Sequence, residues 1–125
     1  MPKIIKINPF FKDKRGEMTY LINNDIKINS VLIITCKKGS IRANHFHKKD
    51  SHFSYLIEGK MEYFYKTKLQ DRIQKHILNK GDMIFTPANE IHAMRFLKNS
   101  IFLALSTEKR EREKYENDTI RIKLI

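Results

Sequence analysis

The sequence predicts an all-β fold, an antiparallel sandwich or barrel with one short helix near the C-terminus. Three observations carry this expectation. Short apolar and β-branched segments recur about every ten residues, the spacing of strands in such folds. Between them stand turn signals such as Asn23-Asn24-Asp25, Lys37-Lys38-Gly39-Ser40 and Asn79-Lys80-Gly81-Asp82. Only Thr107 to Glu116 departs from the pattern, with Glu, Lys and Arg at helical spacing.

Taken in order, Lys3 to Asn8 alternates and stops at Pro9, a first strand suited to a sheet edge or a partner chain. A turn at Arg15-Gly16 leads into a strand from Met18 to Ile22. Asn29 to Cys36 is continuously β-branched, the pattern of a strand buried on both faces. Ile41 to His47 and His52 to Glu58 follow, separated by the polar turn Lys48-Lys49-Asp50-Ser51. Gly59-Lys60 turns the chain into Met61 to Lys66, Gln70 to Leu78 alternates weakly, and Met83 to Thr86 ends at Pro87. Ile91 to Leu97 and Ile101 to Ser106 are expected to pair through Lys98-Asn99-Ser100. Ser106 or Thr107 then caps the helix, whose charge run reads as a solvated face, and Thr119 to Ile125 forms a last strand. No linker or repeat divides residues 1–125, so one domain is expected.

The 125 residues carry a net charge of +11, with 25 basic and 14 acidic side chains. Lysine outnumbers arginine and is scattered rather than blocked, so nucleic acid is not the expected partner. The charge reads either as a solvated basic surface or as a field that favours a small anionic ligand such as a nucleotide sugar or a phosphate, and charge alone does not choose between them. No apolar run is long enough to span a bilayer, and MPKIIKINPF lacks the apolar core of a signal peptide, which reads as a cytoplasmic protein with no membrane partner. The single cysteine, Cys36, fits a reducing compartment and reads as a small buried residue.

Chemistry concentrates between Gly39 and Gly59, where His45, His47 and His52 fall within eight residues. His45 and His47 are two apart on a strand and share a face. His52 joins them if the two segments pair. With His92 these residues offer four imidazole nitrogens, a donor set for a divalent transition metal: Zn, Fe, Ni, Mn or Cu. The same imidazoles suit acid/base work near neutral pH, and for any one of them a hydrogen-bonded place in the core is the simpler reading. His76 stands apart from this cluster and is expected to be exposed.

These residues fall into two motifs that resemble those of the cupin superfamily. In the first, spanning 39–59, Gly39, His45, His47, His52 and Gly59 keep the family spacing, with His52 where the family usually carries Glu. In the second, spanning 81–96, Gly81, Pro87 and His92 keep it, while Asn89 replaces a glycine and Phe96 an asparagine. The resemblance implies a double-sheet antiparallel jelly roll with the histidines at the barrel mouth, and a homodimer. A narrower similarity is to the nucleotide-sugar 3,4-ketoisomerases and 3,5-epimerases. It rests on Asp13-Lys14-Arg15-Gly16 and on Arg42-Ala43-Asn44-His45-Phe46-His47-Lys48, in which Ala43 replaces the family's glycine.

That similarity implies a sugar isomerase or epimerase in surface-polysaccharide biosynthesis. His45 or His47 would serve as the base, Arg42 or Arg15 would hold the diphosphate, and Tyr55 or Tyr63 would return the proton or stack on a base; by strand alternation Phe53 and Tyr55 face opposite His52, which reads as cover for a sheet or a subunit contact. Carbon–hydrogen chemistry by free imidazoles and a metal on all four histidines exclude one another. Two further expectations stand beside this one, a noncatalytic metal- or sugar-binding cupin and a metal-dependent oxygenase.

Overall fold

The computed structural model describes residues 1–125. In chain order the elements are β1 (Lys3–Ile5), β2 (Phe11–Asp13), β3 (Gly16–Met18), β4 (Ser30–Cys36), β5 (Ile41–His47), β6 (His52–Glu58), β7 (Lys60–Lys66), β8 (Gln74–Asn79), β9 (Met83–Thr86), β10 (Ile91–Phe96), β11 (Ser100–Ser106), α1 (Arg112–Asp118) and β12 (Thr119–Arg121). They form two five-stranded antiparallel sheets, ordered β1-β9-β6-β11-β4 and β12-β5-β10-β7-β8, with β2 and β3 as a separate hairpin. This is the expected jelly roll with one short helix.

The inward faces alternate as a half-buried strand requires. On β11, Phe102, Ala104 and Ser106 are buried while Ile101, Leu103 and Leu105 are only partly covered. Leu56, Met61, Tyr63, Leu78, Ile84 and Phe96 fill the core, and Cys36 is buried at its edge as expected. Gly59 joins β6 to β7 at φ 102°, where an added Cβ would lie 2.1 Å from Ser100 Oγ. That approach, rather than turn freedom alone, requires the glycine closing the first motif.

Several expectations are corrected. Ile91–Phe96 and Ser100–Ser106 do not pair: β10 lies between β5 and β7, and β11 between β6 and β4, so the Lys98-Asn99 link crosses from one sheet to the other. The strand expected from Met18 to Ile22 is not formed: only Met18 is in a strand, at the end of β3, which pairs with β2 in a hairpin closed by Lys14-Arg15. Strand β4 is not buried on both faces. It stands at the sheet edge, and Val31 and Ile33 are 62% and 70% exposed. Strands β1, β8 and β12 are shorter than the alternation predicts.

The helix begins at Arg112 rather than Thr107, and neither Ser106 nor Thr107 caps it. Residues 107–110 form a bend tied down by tertiary hydrogen bonds: Thr107 N–H donates to Ser51 O, Glu108 N–H to Asp50 Oδ1 and Arg110 N–H to Ser30 Oγ. Tertiary hydrogen bonds thus outweigh local helix propensity. At the other end, Asn44 Oδ1 accepts from Leu124 N–H and Ile125 N–H, which pins the last residues without a ladder. No helix is long and apolar enough to cross a membrane.

Candidate functional site

The four histidines meet inside the barrel, but not by the expected pairing. Strands β5 and β6 belong to different sheets, so His52 faces His45 and His47 across the interior. His92, far away in sequence, is the direct cross-strand partner of His45. Ring centroids are 4.5 Å apart for His45 and His47, 4.8 Å for His45 and His92, 5.4 Å for His52 and His92, and 5.7 Å for His47 and His52.

A bulge makes this constellation possible. Arg42 pairs with Met94, but His45, three residues on, pairs with His92, two residues back. In a regular strand residues three apart face opposite ways; the extra residue restores the parity and puts exposed Arg42, at the open end, on the same face as buried His45. The chain accommodates it with left-handed backbone at Ala43 (φ 70°) and Asn44 (φ 58°). The glycine of the ketoisomerase-like pattern therefore has a physical reason, which Ala43 meets at a cost. Asn89 is also left-handed, at φ 70°, and its N–H donates to His47 O. Asparagine tolerates this conformation better than most residues and fills the second motif's glycine position. Phe96 is wholly buried and stacks on Phe102, making that end of the barrel apolar.

Hydrogen bonds orient three of the four rings. His52 Nδ1 lies 3.2 Å from Asp50 Oδ2, and His92 Nδ1 lies 2.9 Å from Glu90 O. His47 Nδ1 lies 3.2 Å from Thr119 Oγ1, whose own hydrogen goes to Tyr115 O at 2.6 Å. Each Nδ1 therefore carries the proton, by inference from its partner, and each Nε2 keeps its lone pair. His47 Nε2 and His45 Nδ1 are enclosed without any partner. Burial drives the pKa of His45 down to about 3 and of His47 to about 4, and the neighbouring histidines push the same way. His92 falls well below its ordinary value by burial and by its neighbours. Burial also lowers His52, partly offset by Asp50. The four rings are neutral at physiological pH.

Potential ligand atoms of His45, His47 and His92 lie within 4.8 Å of one another, and so do those of His47, Asp50 and His52. With Asp50 added, the quartet thus forms two overlapping triads that share His47. Asp50, though, is already engaged: Oδ1 accepts from Glu108 N–H, and Oδ2 faces both His52 Nδ1 and Arg110 Nη2. Burial raises its pKa, but these bonds outweigh burial and keep it low, so it stays ionised. It serves as the carboxylate behind a histidine.

A chamber of about 100 Å³ opens onto His45, His52 and His92, with Ser54, Arg42, Arg110 and Tyr115 also on its wall. Tyr63 lies behind this wall. It stacks on His92 at 5.8 Å, its hydroxyl lies 2.6 Å from Thr86 Oγ1, and burial pushes its pKa far above the ordinary value. Two expected residues are not brought to the site. Tyr55 is on the outer face of its sheet beside Met83, and Arg15 is on the exposed hairpin, bonded to Asp13 at 2.6 Å. His76 is partly covered and stacks on Tyr65. Conversely, Asp50, Thr119, Arg110, Tyr115 and Ser54 were not singled out by sequence reasoning. Their types are ordinary for turns, strands and a charged helix, and only tertiary contact sets them apart.

Residues 32–107 match the cupin domain family. Among solved structures, the chain is similar to a 3,4-ketoisomerase from Helicobacter canadensis, with 23% identity and a TM-score of 0.81 over 96% of this chain and 90% of that one. It is similar to a double mutant of a 3,4-ketoisomerase from Thermoanaerobacterium thermosaccharolyticum in complex with TDP, with 27% identity and a TM-score of 0.78 over 96% and 86%. A dTDP-4-dehydrorhamnose 3,5-epimerase from Sulfolobus tokodaii gives 17% identity and a TM-score of 0.73 over 90% and 73%. No curated protein sequence is similar enough to match. With a family match across both histidine motifs and a two-sheet jelly roll around them, the chain belongs to the cupin domain family.

Proposed function

We propose that this cupin is a sugar isomerase or epimerase acting on a nucleotide sugar in surface-polysaccharide biosynthesis, and that the proton moves within the histidine chamber. One observation carries the reading. His45 Nδ1, His47 Nε2, Ser54 Oγ and Arg110 Nε are all enclosed and without partners, and all belong to the chamber wall or to the quartet beside it. Buried polar groups are nearly always bonded, so a cluster of orphans marks a place built for something else. The solved ketoisomerase and epimerase structures support the substrate class, and the one holding TDP supports a nucleotide-linked ligand. Such a substrate, with the single buried thiol Cys36, fits a cytoplasmic enzyme.

The reaction takes a proton from a carbon beside a carbonyl and returns one elsewhere. His47, enclosed beside the chamber rather than on its wall, suits the first step through Nε2, whose lone pair is unpartnered and kept unprotonated by burial while Nδ1–H is held by Thr119. His45, also neutral, is the second proton carrier. Arg42 Nη2 and Nε donate to Thr35 O and Cys36 Sγ, which holds the guanidinium at the rim to take ligand charge. Tyr63, its hydroxyl engaged by Thr86, acts as a positioning residue for His92 rather than as the proton donor.

The donor set also fits a divalent transition metal, which supports a second, metal-loaded reading. His45, His47 and His92 would hold the ion, since fixed Nδ1–H groups leave Nε2 lone pairs for coordination on His47 and His92. A bound ion would supply Lewis-acid polarisation of the carbonyl. The two readings compete for His45 and His47, and one experiment separates them. The protein is incubated with TDP- and UDP-linked keto-deoxy sugars in deuterated water, before and after exhaustive chelation. Exchange that survives chelation assigns free imidazole chemistry, and exchange that needs a re-added ion assigns the metal form. No exchange with any sugar would leave a binding module instead of an enzyme.

The outer face of the first sheet supports a homodimer. Val31 and Ile33 project from the edge strand β4, beside partly covered Leu103 and Leu105 of β11 and Tyr55 of β6. A contiguous apolar sheet face of this kind is stabilised by covering it with a second copy.

A further inference from the structure

We infer that His52, backed by Asp50, is a second acid/base station facing His45 and His47 from the opposite sheet, so that both faces of a substrate carbon are served and the reaction is inversion at that carbon. This deepens the proposed function and rests on its reading of the chamber as the ligand site. The substrate class is a keto sugar with a hydrogen-bearing stereocentre beside the carbonyl.

The chamber takes its imidazoles from two sheets. His45 and His92 stand on β5 and β10 of one sheet, and His52 stands on β6 of the other. His45 and His47, two apart on β5, share one side of the barrel, so a proton moved by them leaves and returns on that side. Only His52 offers an imidazole from the facing sheet. At about 100 Å³ the chamber is too small for a nucleotide sugar, so only the reacting end enters it and lies between the two walls.

The support behind His52 differs in kind from that behind the other rings. His92 Nδ1 and His47 Nδ1 meet uncharged partners, Glu90 O and Thr119 Oγ1. His52 Nδ1 meets a carboxylate, with the two side chains only 3% and 5% exposed. That is the one hydrogen bond of the His52 ring, so its Nε2 lone pair has no partner in the chain. A carboxylate behind an imidazole fixes its tautomer and stabilises the cation formed when the far nitrogen takes a proton. The turn that carries Asp50 is itself fixed by the end of α1: Lys49 N–H and Asp50 N–H donate to the Asp118 carboxylate at 2.9 and 3.0 Å. A histidine that merely fills the core needs no such construction, and His52 is the ring that the potential metal triad of His45, His47 and His92 leaves out.

The step balances with water alone as proton source and sink. An imidazole of β5 takes the proton as the C–H bond breaks, and the electron pair moves through the adjacent carbon to the carbonyl oxygen, giving an enolate. The pair returns and the carbonyl re-forms as the His52 Nε2–H bond breaks and a new C–H bond forms on the opposite face. The sugar is inverted at one carbon and unchanged in composition. The β5 imidazolium then gives its proton to water and His52 regains one from water, with Asp50 accepting from Nδ1–H throughout. His52 is thus a catalytic residue and Asp50 a positioning residue.

The test is incubation of the full chain with TDP- and UDP-linked keto-deoxy sugars in deuterated water, with deuterium uptake and the configuration of the exchanging carbon both read by proton NMR. Wild type is compared with His52→Gln, Asp50→Asn and His47→Gln. Wild type should give the inverted sugar carrying deuterium. The ratio of inversion to exchange should fall at least about tenfold in His52→Gln and several-fold in Asp50→Asn, whereas His47→Gln should lower both rates together. General damage to the fold also lowers both together, so the ratio isolates the role of the pair. Asp50→Asn keeps an oxygen for Glu108 N–H and decides the matter by the same ratio if His52→Gln fails to fold. Exchange with retention only in wild type, or an unchanged ratio in folded His52→Gln protein, would overturn the inference and leave the isomerase reading standing. An unchanged ratio in Asp50→Asn would overturn the part given to Asp50. No exchange with any sugar would overturn the inference and the isomerase reading alike.

Discussion

His45 and His92 are cross-strand partners on β5 and β10, with ring centroids 4.8 Å apart at an interplanar angle of 84°. Together with His47 they form one triad of potential metal ligands, while His52, backed by Asp50, lies in the other. The quartet is therefore three plus one, which bears directly on metal binding. After reconstitution with zinc, His92→Ala and His47→Ala should lower affinity at least about tenfold, whereas His52→Ala should retain most of the metal, measured by elemental analysis after dialysis. Equal loss in all three variants would mean that the four rings act as one site.

The left-handed backbone at Ala43 predicts a stabilising substitution. Ala43→Gly relieves an L-residue held at φ 70° and should raise unfolding stability by about 1 kcal/mol in a urea titration, net of the extra freedom it gives the unfolded chain. A loss of stability would mean that the methyl group's packing outweighs the strain.

Much of this architecture was legible in the sequence. The spacing from Gly39 to Gly59 and from Gly81 to Phe96 marked the two motifs, and alternating strands marked the sheets. The short Lys98-Asn99 link looked like a hairpin, and only the packing of two sheets made it a crossover. The bulge was invisible because nothing local in Arg42-Ala43-Asn44 announces an extra residue, although it decides that Arg42 and His45 share a chamber. Arg110 was hidden in a run of charges. Its distinction comes from Ser30 and Asp50, residues from two other parts of the chain, and from Tyr115 five residues on.

Acid should weaken the metal-free protein. The folded-state values of His45 and His47 are lowered to about 3 and about 4, below the 6.5 of an unperturbed ring. The unfolded chain therefore takes up protons first. The contribution of the neutral rings is complete above about pH 6.5 and is lost as pH falls toward the folded-state values. Urea midpoints of chelator-treated protein should drop steadily from about pH 7 to about pH 4. A flat profile across that range would contradict the burial of unprotonated histidines.

The apolar face of β4 predicts self-association. Light scattering of the wild type should give twice the 15.0 kDa chain mass, and Ile33→Asp, which places a charge at a position 70% exposed in the lone chain, should give the single-chain mass. A monomeric wild type would assign that face to a different partner.

The central claim is that His47, oriented by Thr119, moves a proton of a sugar beside its carbonyl. The most direct measurement is the rate of solvent deuterium incorporation into a TDP-linked keto-deoxy sugar, followed by proton NMR, for wild type, His47→Gln and Tyr63→Phe. Exchange in the wild type, a loss of about a hundredfold or more in His47→Gln and a smaller loss in Tyr63→Phe are predicted. Exchange at the wild-type rate in a folded His47→Gln protein would contradict the account.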